Sequence, residues 1–117
     1  MQSELNTIVV NALEDLKGKE IVELDVTTLS DVMDTLVIAT GTSNRHVKSL
    51  ANNVVEDGKE KGFRPIGVEG METGEWVLVD YGDLVVHVML DTTRTFYELE
   101  KLWSTEPATR HKSKPDA

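Results

Sequence analysis

The 117-residue chain contains no cysteine, which excludes disulfides, Cys-ligated zinc, iron–sulfur clusters and thiol catalysis. It also lacks any apolar run approaching the 18 residues of a membrane span; the longest, Val85–Leu90, is interrupted by His87. The opening Met1-Gln2-Ser3-Glu4 has neither the basic nor the apolar region of a signal peptide, so a cytoplasmic location with no membrane association is expected. Basic residues are scarce: 12 Lys and Arg stand against 21 Asp and Glu, for a net charge of −9. A surface this acidic repels phosphate backbones, so direct sequence-specific binding to nucleic acid is disfavoured and a basic protein partner favoured. The length suits one domain with a single core, expected over residues 1–103. Residues 104–117, with Pro107, Pro115 and scattered charge, read as a disordered tail.

Leu5, Ile8, Val9, Ala12, Leu13 and Leu16 repeat at helical spacing, after a capping Ser3 and before a C-capping Gly18. Ile21–Val26 alternates as a strand, and Thr35–Thr40 is apolar almost throughout, as in a strand covered on both faces. Gly41-Thr42-Ser43 ends that strand, and Val47, Leu50, Ala51, Val54 and Val55 form the stripe of a second helix, with Gly58 expected to fray its last turn. Pro65 opens a short strand, Ile66–Glu69; Trp76–Asp80 and Leu84–Leu90 read as a hairpin, and Phe96, Leu99, Leu102 and Trp103 as the stripe of a final helix. The order α-β-β-α-β-β-β-α predicts an α/β protein of α+β type, with a mixed sheet of about five strands and helices mainly on one face. The unit from Leu36 to Val68 is expected to be a right-handed parallel crossover.

Chemistry finds little support. A Gly-Ser turn such as Gly41–Arg45 can hold an anion at a helix N-terminus, and nucleotidyltransferases use one with paired carboxylates on the next strand. Here that strand offers only Glu69, while Asp25, Asp34 and Asp80 are each alone on their segments. Two-metal chemistry needs ions about 3.5–4 Å apart, so helix capping is the preferred reading of the turn, and nucleotide binding or nucleotidyl transfer the alternative. His46, His87 and His111 form no metal-ligand pair. Ser43 lies outside any G-x-S-x-G motif. Catalytic residues, metal and cofactor are therefore all expected to be absent. Along Trp76–Asp80, residues Trp76, Leu78 and Asp80 share one face and Val77 and Val79 the other. Trp76 beside Asp80 fits a face that meets a partner. It fits equally a tryptophan at the core edge with a carboxylate capping the turn.

Several strings, taken in order, resemble the ribosomal silencing factor (Iojap) family: Asp25, Asp34–Thr40, Gly41–Val47, Gly67–Gly70, Trp76–Asp83, Val85–Val88 and Phe96–Trp103. The likeness runs from about residue 5 to residue 103. Where many members carry an aromatic after the Asp34 position, this chain has Thr35-Leu36. The resemblance implies a nucleotidyltransferase-like fold without catalytic carboxylates, in a non-enzymatic translation repressor active when nutrients are scarce. It implies binding to the large ribosomal subunit through its basic ribosomal protein number fourteen, blocking the small subunit, and self-association into a homodimer when free. The partner-binding residues expected are Trp76, Asp80 and Tyr81, with His87 and Glu100 as neighbours, and Asp34 and Arg45 supporting loop geometry.

Overall fold

A computed structural model of the chain describes residues 3–29, 31, 33–97 and 107–110. The elements in order are α1 (Ser3–Asp15), β1 (Lys19–Asp25), β2 (Thr35–Gly41), α2 (Asn44–Glu60), β3 (Gly67–Glu69), β4 (Trp76–Asp80), β5 (Leu84–Leu90), α3 (Asp91–Tyr97) and β6 (Pro107–Arg110). The sheet order is β3-β4-β5-β2-β1-β6. Only β2 and β5 are parallel neighbours; the other pairings are antiparallel. The mixed sheet with flanking helices is thus as expected, with a sixth strand added. No helix among the described residues is long and apolar enough to cross a membrane.

The extra strand corrects the reading of the tail. Pro107–Arg110 pairs with Val22, Glu23 and Leu24 of β1, with a register shift. Without it, β1 would be an edge with unpaired backbone groups. Proline is tolerated because it opens the strand at a sheet edge. The rest of the tail lies outside the described residues, as do Leu99, Leu102 and Trp103 of the expected last helix.

β2 is buried at all seven positions, as its unbroken apolar run requires. One face of the sheet meets α1 and α2 over Leu5, Val9, Leu13, Val37, Leu50, Val54, Val77 and Val86. The other face carries Val22, Leu24, Val26, Leu36, Ile38 and Met89, with Trp76 and Val85 packed at the margin. α3 approaches that second face: Arg94 Nη1 donates to the Thr40 hydroxyl and to the Glu20 carbonyl, both at 2.8 Å.

Three local expectations change. The crossover from β2 to β3 is parallel as expected but spans two strands: the chain leaves β2 through α2, lands at the far edge, and returns by the antiparallel β3-β4-β5 meander to put β5 next to β2. The left-handed residue after α1 is Lys17 (φ 63°), not Gly18; a Cβ on Gly18 would stand 3.0 Å from the Leu13 carbonyl oxygen, so glycine answers crowding there. Gly58 does not fray α2, which continues to Glu60. It gives room to the Tyr81 hydroxyl, 3.0 Å from where a Cβ would be.

Candidate functional site

The alternation of β4 places Val77 and Val79 in the helix-covered core and leaves Trp76, Leu78 and Asp80 half-buried on the opposite face. In the antiparallel register Leu78 lies directly across from His87, and Asp80 across from Val85. Glu69 of β3 lies across from Leu78 on its other side. The resulting surface is a half-buried apolar patch of Trp76, Leu78 and Val85, bordered by the carboxylates of Glu69 and Asp80.

Trp76 and His87 are diagonal neighbours on this face, a separation that long aromatic side chains can bridge. The indole Nε1–H donates to His87 Nδ1 at 2.9 Å, with ring centroids 5.9 Å apart and planes tilted by 49°. His87 is only 8% exposed, and burial pushes its pKa down to about 4. The ring is therefore neutral at pH 7. Since Nδ1 accepts, the ring proton resides on Nε2.

The other expected site residues fall apart spatially. Asp80 Oδ1 accepts the Gly82 N–H at 2.8 Å and so holds the β4–β5 turn, at the opposite end of β4 from Trp76 but on the same face. Tyr81 turns to the helix side, where its hydroxyl donates to the Val54 carbonyl at 3.5 Å; burial raises its pKa to about 12. Glu100 lies outside the described residues. Asp34 takes part in loop geometry through its backbone, whose N–H donates to the Asp83 carbonyl at 2.7 Å, and Arg45 is exposed on the first turn of α2. Sequence did not place Val85 or Glu69 at the partner face, because they join the patch only through the cross-strand registers.

At the other candidate, the Gly41–Arg45 turn, three backbone donors are engaged internally. Ser43 Oγ accepts the His46 N–H at 3.0 Å, the His46 ring accepts the Thr42 N–H at 2.9 Å, and the Ser43 carbonyl accepts the Val47 N–H at 2.9 Å. His46 Nε2 donates in turn to the Leu16 carbonyl at 2.7 Å, tying the end of α1 to the start of α2. A cleft of about 830 Å³ adjoins the turn, with Lys19, Thr40, Leu90 and Asp91 in its walls. The Thr42, His46 and Val47 amides thus already have partners, as helix capping requires. Among the described residues no group of three His, Asp or Glu side chains is placed to hold a metal ion.

The model of a family described as "Ribosomal silencing factor during starvation" matches residues 1–117. The chain belongs to the ribosomal silencing factor family. It is 52% identical over 100 residues to ribosomal silencing factor RsfS of Chromobacterium violaceum, covering 86% of this chain and 82% of that one. It is 36% identical over 106 residues to the RsfS of Bacillus subtilis, covering 91% and 90%. A crystal structure of a Chromobacterium violaceum protein superposes with a TM-score of 0.88 at 46% identity, covering 97% of this chain and 94% of that one. Membership of the ribosomal silencing factors makes this a ribosome-associated regulator of translation, and a bacterial member of the Iojap family.

Proposed function

We propose that this silencing factor represses translation without chemistry. It docks the Trp76 face of its sheet on the basic ribosomal protein number fourteen of the large subunit and sterically prevents the small subunit from joining. The observation that carries this reading is the half-buried apolar patch of Trp76, Leu78 and Val85 with Glu69 and Asp80 at its border. An apolar centre supplies affinity where water is excluded, and an acidic border on a chain of net charge −9 selects a basic partner. Among relatives, a mouse protein 34% identical over 100 residues is named mitochondrial assembly of ribosomal large subunit protein 1, which links that protein to the large subunit. The factor acts in the cytoplasm under nutrient limitation, and the same apolar face serves self-association when it is free.

Co-sedimentation with separated subunits tests the proposal. The protein should travel with large subunits alone and suppress assembled ribosomes when small subunits are added. Trp76→Ala should weaken large-subunit binding by roughly tenfold or more, as truncation of a central tryptophan does, with an unchanged far-UV spectrum. Travel with small subunits, or with neither, would reject it. The nucleotide alternative has the internally bonded Thr42 and His46 amides against it; titration with Mg-ATP should release no heat.

A further inference from the structure

Resting on that docking reading, we propose that His87 presents its Nε2–H as a hydrogen-bond donor to an uncharged carbonyl oxygen of the partner protein, and that Trp76 is the positioning residue that fixes the ring in this donor form. His87 sits between Val86 and Val88 on β5 and faces away from α1 and α2, with Leu78 across from it on β4 and Ile38 alongside on β2. Neither neighbouring side chain offers an acceptor. Trp76 is the one hydrogen-bond partner of His87 among the described residues. An indole N–H only donates, so the bond exists only while Nδ1 is unprotonated. The alternative tautomer would set one N–H against another. Trp76 therefore dictates which nitrogen carries the proton.

The remaining donor, Nε2–H, lies beside the patch that docking would seal. In the free protein a ring that is 8% exposed still reaches water at its margin. Under a partner that contact is lost, and a sealed donor without an acceptor is costly. Lysine and arginine side chains carry no acceptor, and a carboxylate would meet Glu69 and Asp80 at the border. A backbone or amide carbonyl meets the requirement. Burial, which lowers the pKa of His87 to about 4, keeps the ring neutral at physiological pH and is consistent with a donor that acts without a charge.

The test uses the full chain, uniformly ¹⁵N-labelled, and purified large ribosomal subunits. Long-range ¹H–¹⁵N correlation at pH 7 should show the His87 proton on Nε2 in the free protein, and Trp76→Phe should remove that preference. In binding, His87→Asn keeps an acceptor near the Nδ1 position but has nothing at the Nε2 position; it should bind about five- to tenfold more weakly, the effect of one lost hydrogen bond. His87→Gln carries an amide donor towards the Nε2 position and should bind within about twofold of the parent. A proton on Nδ1 would overturn the proposal. So would His87→Asn binding as tightly as the parent, or His87→Gln and His87→Asn weakening equally with dispersed amide spectra. If His87→Asn fails to fold, Trp76→Phe decides: unchanged affinity with a mixed tautomer would overturn it. Failure of the parent protein to bind large subunits would reject the docking reading itself. It is told apart because the tautomer is measured without a ribosome.

Discussion

His87 shows how one buried ring ties stability to pH. Its pKa is lowered by burial from 6.5 to about 4, so between those values the unfolded chain binds the proton and the folded chain does not. Stability is complete above about pH 6.5 and falls as pH drops towards 4, by on the order of 3 kcal/mol from this one group. Urea unfolding midpoints at pH 7.5 and pH 4.5 should show a smaller acid loss in His87→Gln than in the parent; equal losses would mean other groups govern acid unfolding. At the residue scale the face of Trp76 and Asp80 was legible because strand alternation assigns it. Asp80 caps the turn through the Gly82 N–H and shares the face of Trp76, with Leu78 between them. Tyr81 was not legible: alternation ends with β4 at Asp80, and the next residue turns back under α2, where Gly58 leaves room for its hydroxyl. The Trp76–His87 bond was also out of reach, since it depends on the β4–β5 register.

Helices and strands were read well where local chemistry decides them. The apolar stripe of α2 and the cap at Ser43 are local, and Ser43 has the extended backbone (φ −154°, ψ 167°) of a cap, with its side chain accepting the His46 N–H. Ser43→Ala should therefore destabilise the protein by about 1 kcal/mol, the usual value of such a cap, measured as a shift in the urea midpoint, while binding to large subunits stays unchanged. A loss of binding with intact stability would return the turn to the list of functional sites. Connections that depend on distant pairing were less legible. Nothing in the Leu36 to Val68 segment says that β5 rather than β3 will take the place beside β2; the deciding factor is the distant run of Leu84–Leu90, apolar enough to be buried on both faces beside β2. β6 is a similar case, because Pro107 and the charges around it signal a tail, and only the open edge of β1 makes pairing favourable.

For the molecule as a whole the dominant property is its charge, −9 over 117 residues. Spread over a small domain, this field has two opposed effects at the ribosome. It attracts a basic protein surface and is repelled by the surrounding RNA. The fields extend roughly 10 Å at 0.1 M ionic strength and about 3 Å at 1 M, so added salt weakens both, but it does so unequally. In the proposed docking the basic contact surface lies close to Glu69 and Asp80, whereas RNA phosphates act from further away and are screened first. If the proposed docking holds, only attraction operates with the isolated ribosomal protein number fourteen, and the association rate should fall about tenfold or more between 0.05 M and 0.5 M salt. Dissociation, governed by the apolar patch around Trp76, should change much less. With intact large subunits at fixed magnesium the same salt series should give a shallower slope, because relief of RNA repulsion offsets part of the lost attraction. Stopped-flow mixing with a labelled chain measures both series. Salt-independent association with the isolated protein would mean that the acidic surface does not steer the encounter. An equal slope for the protein and the subunit would place the docking surface beyond the reach of the RNA field.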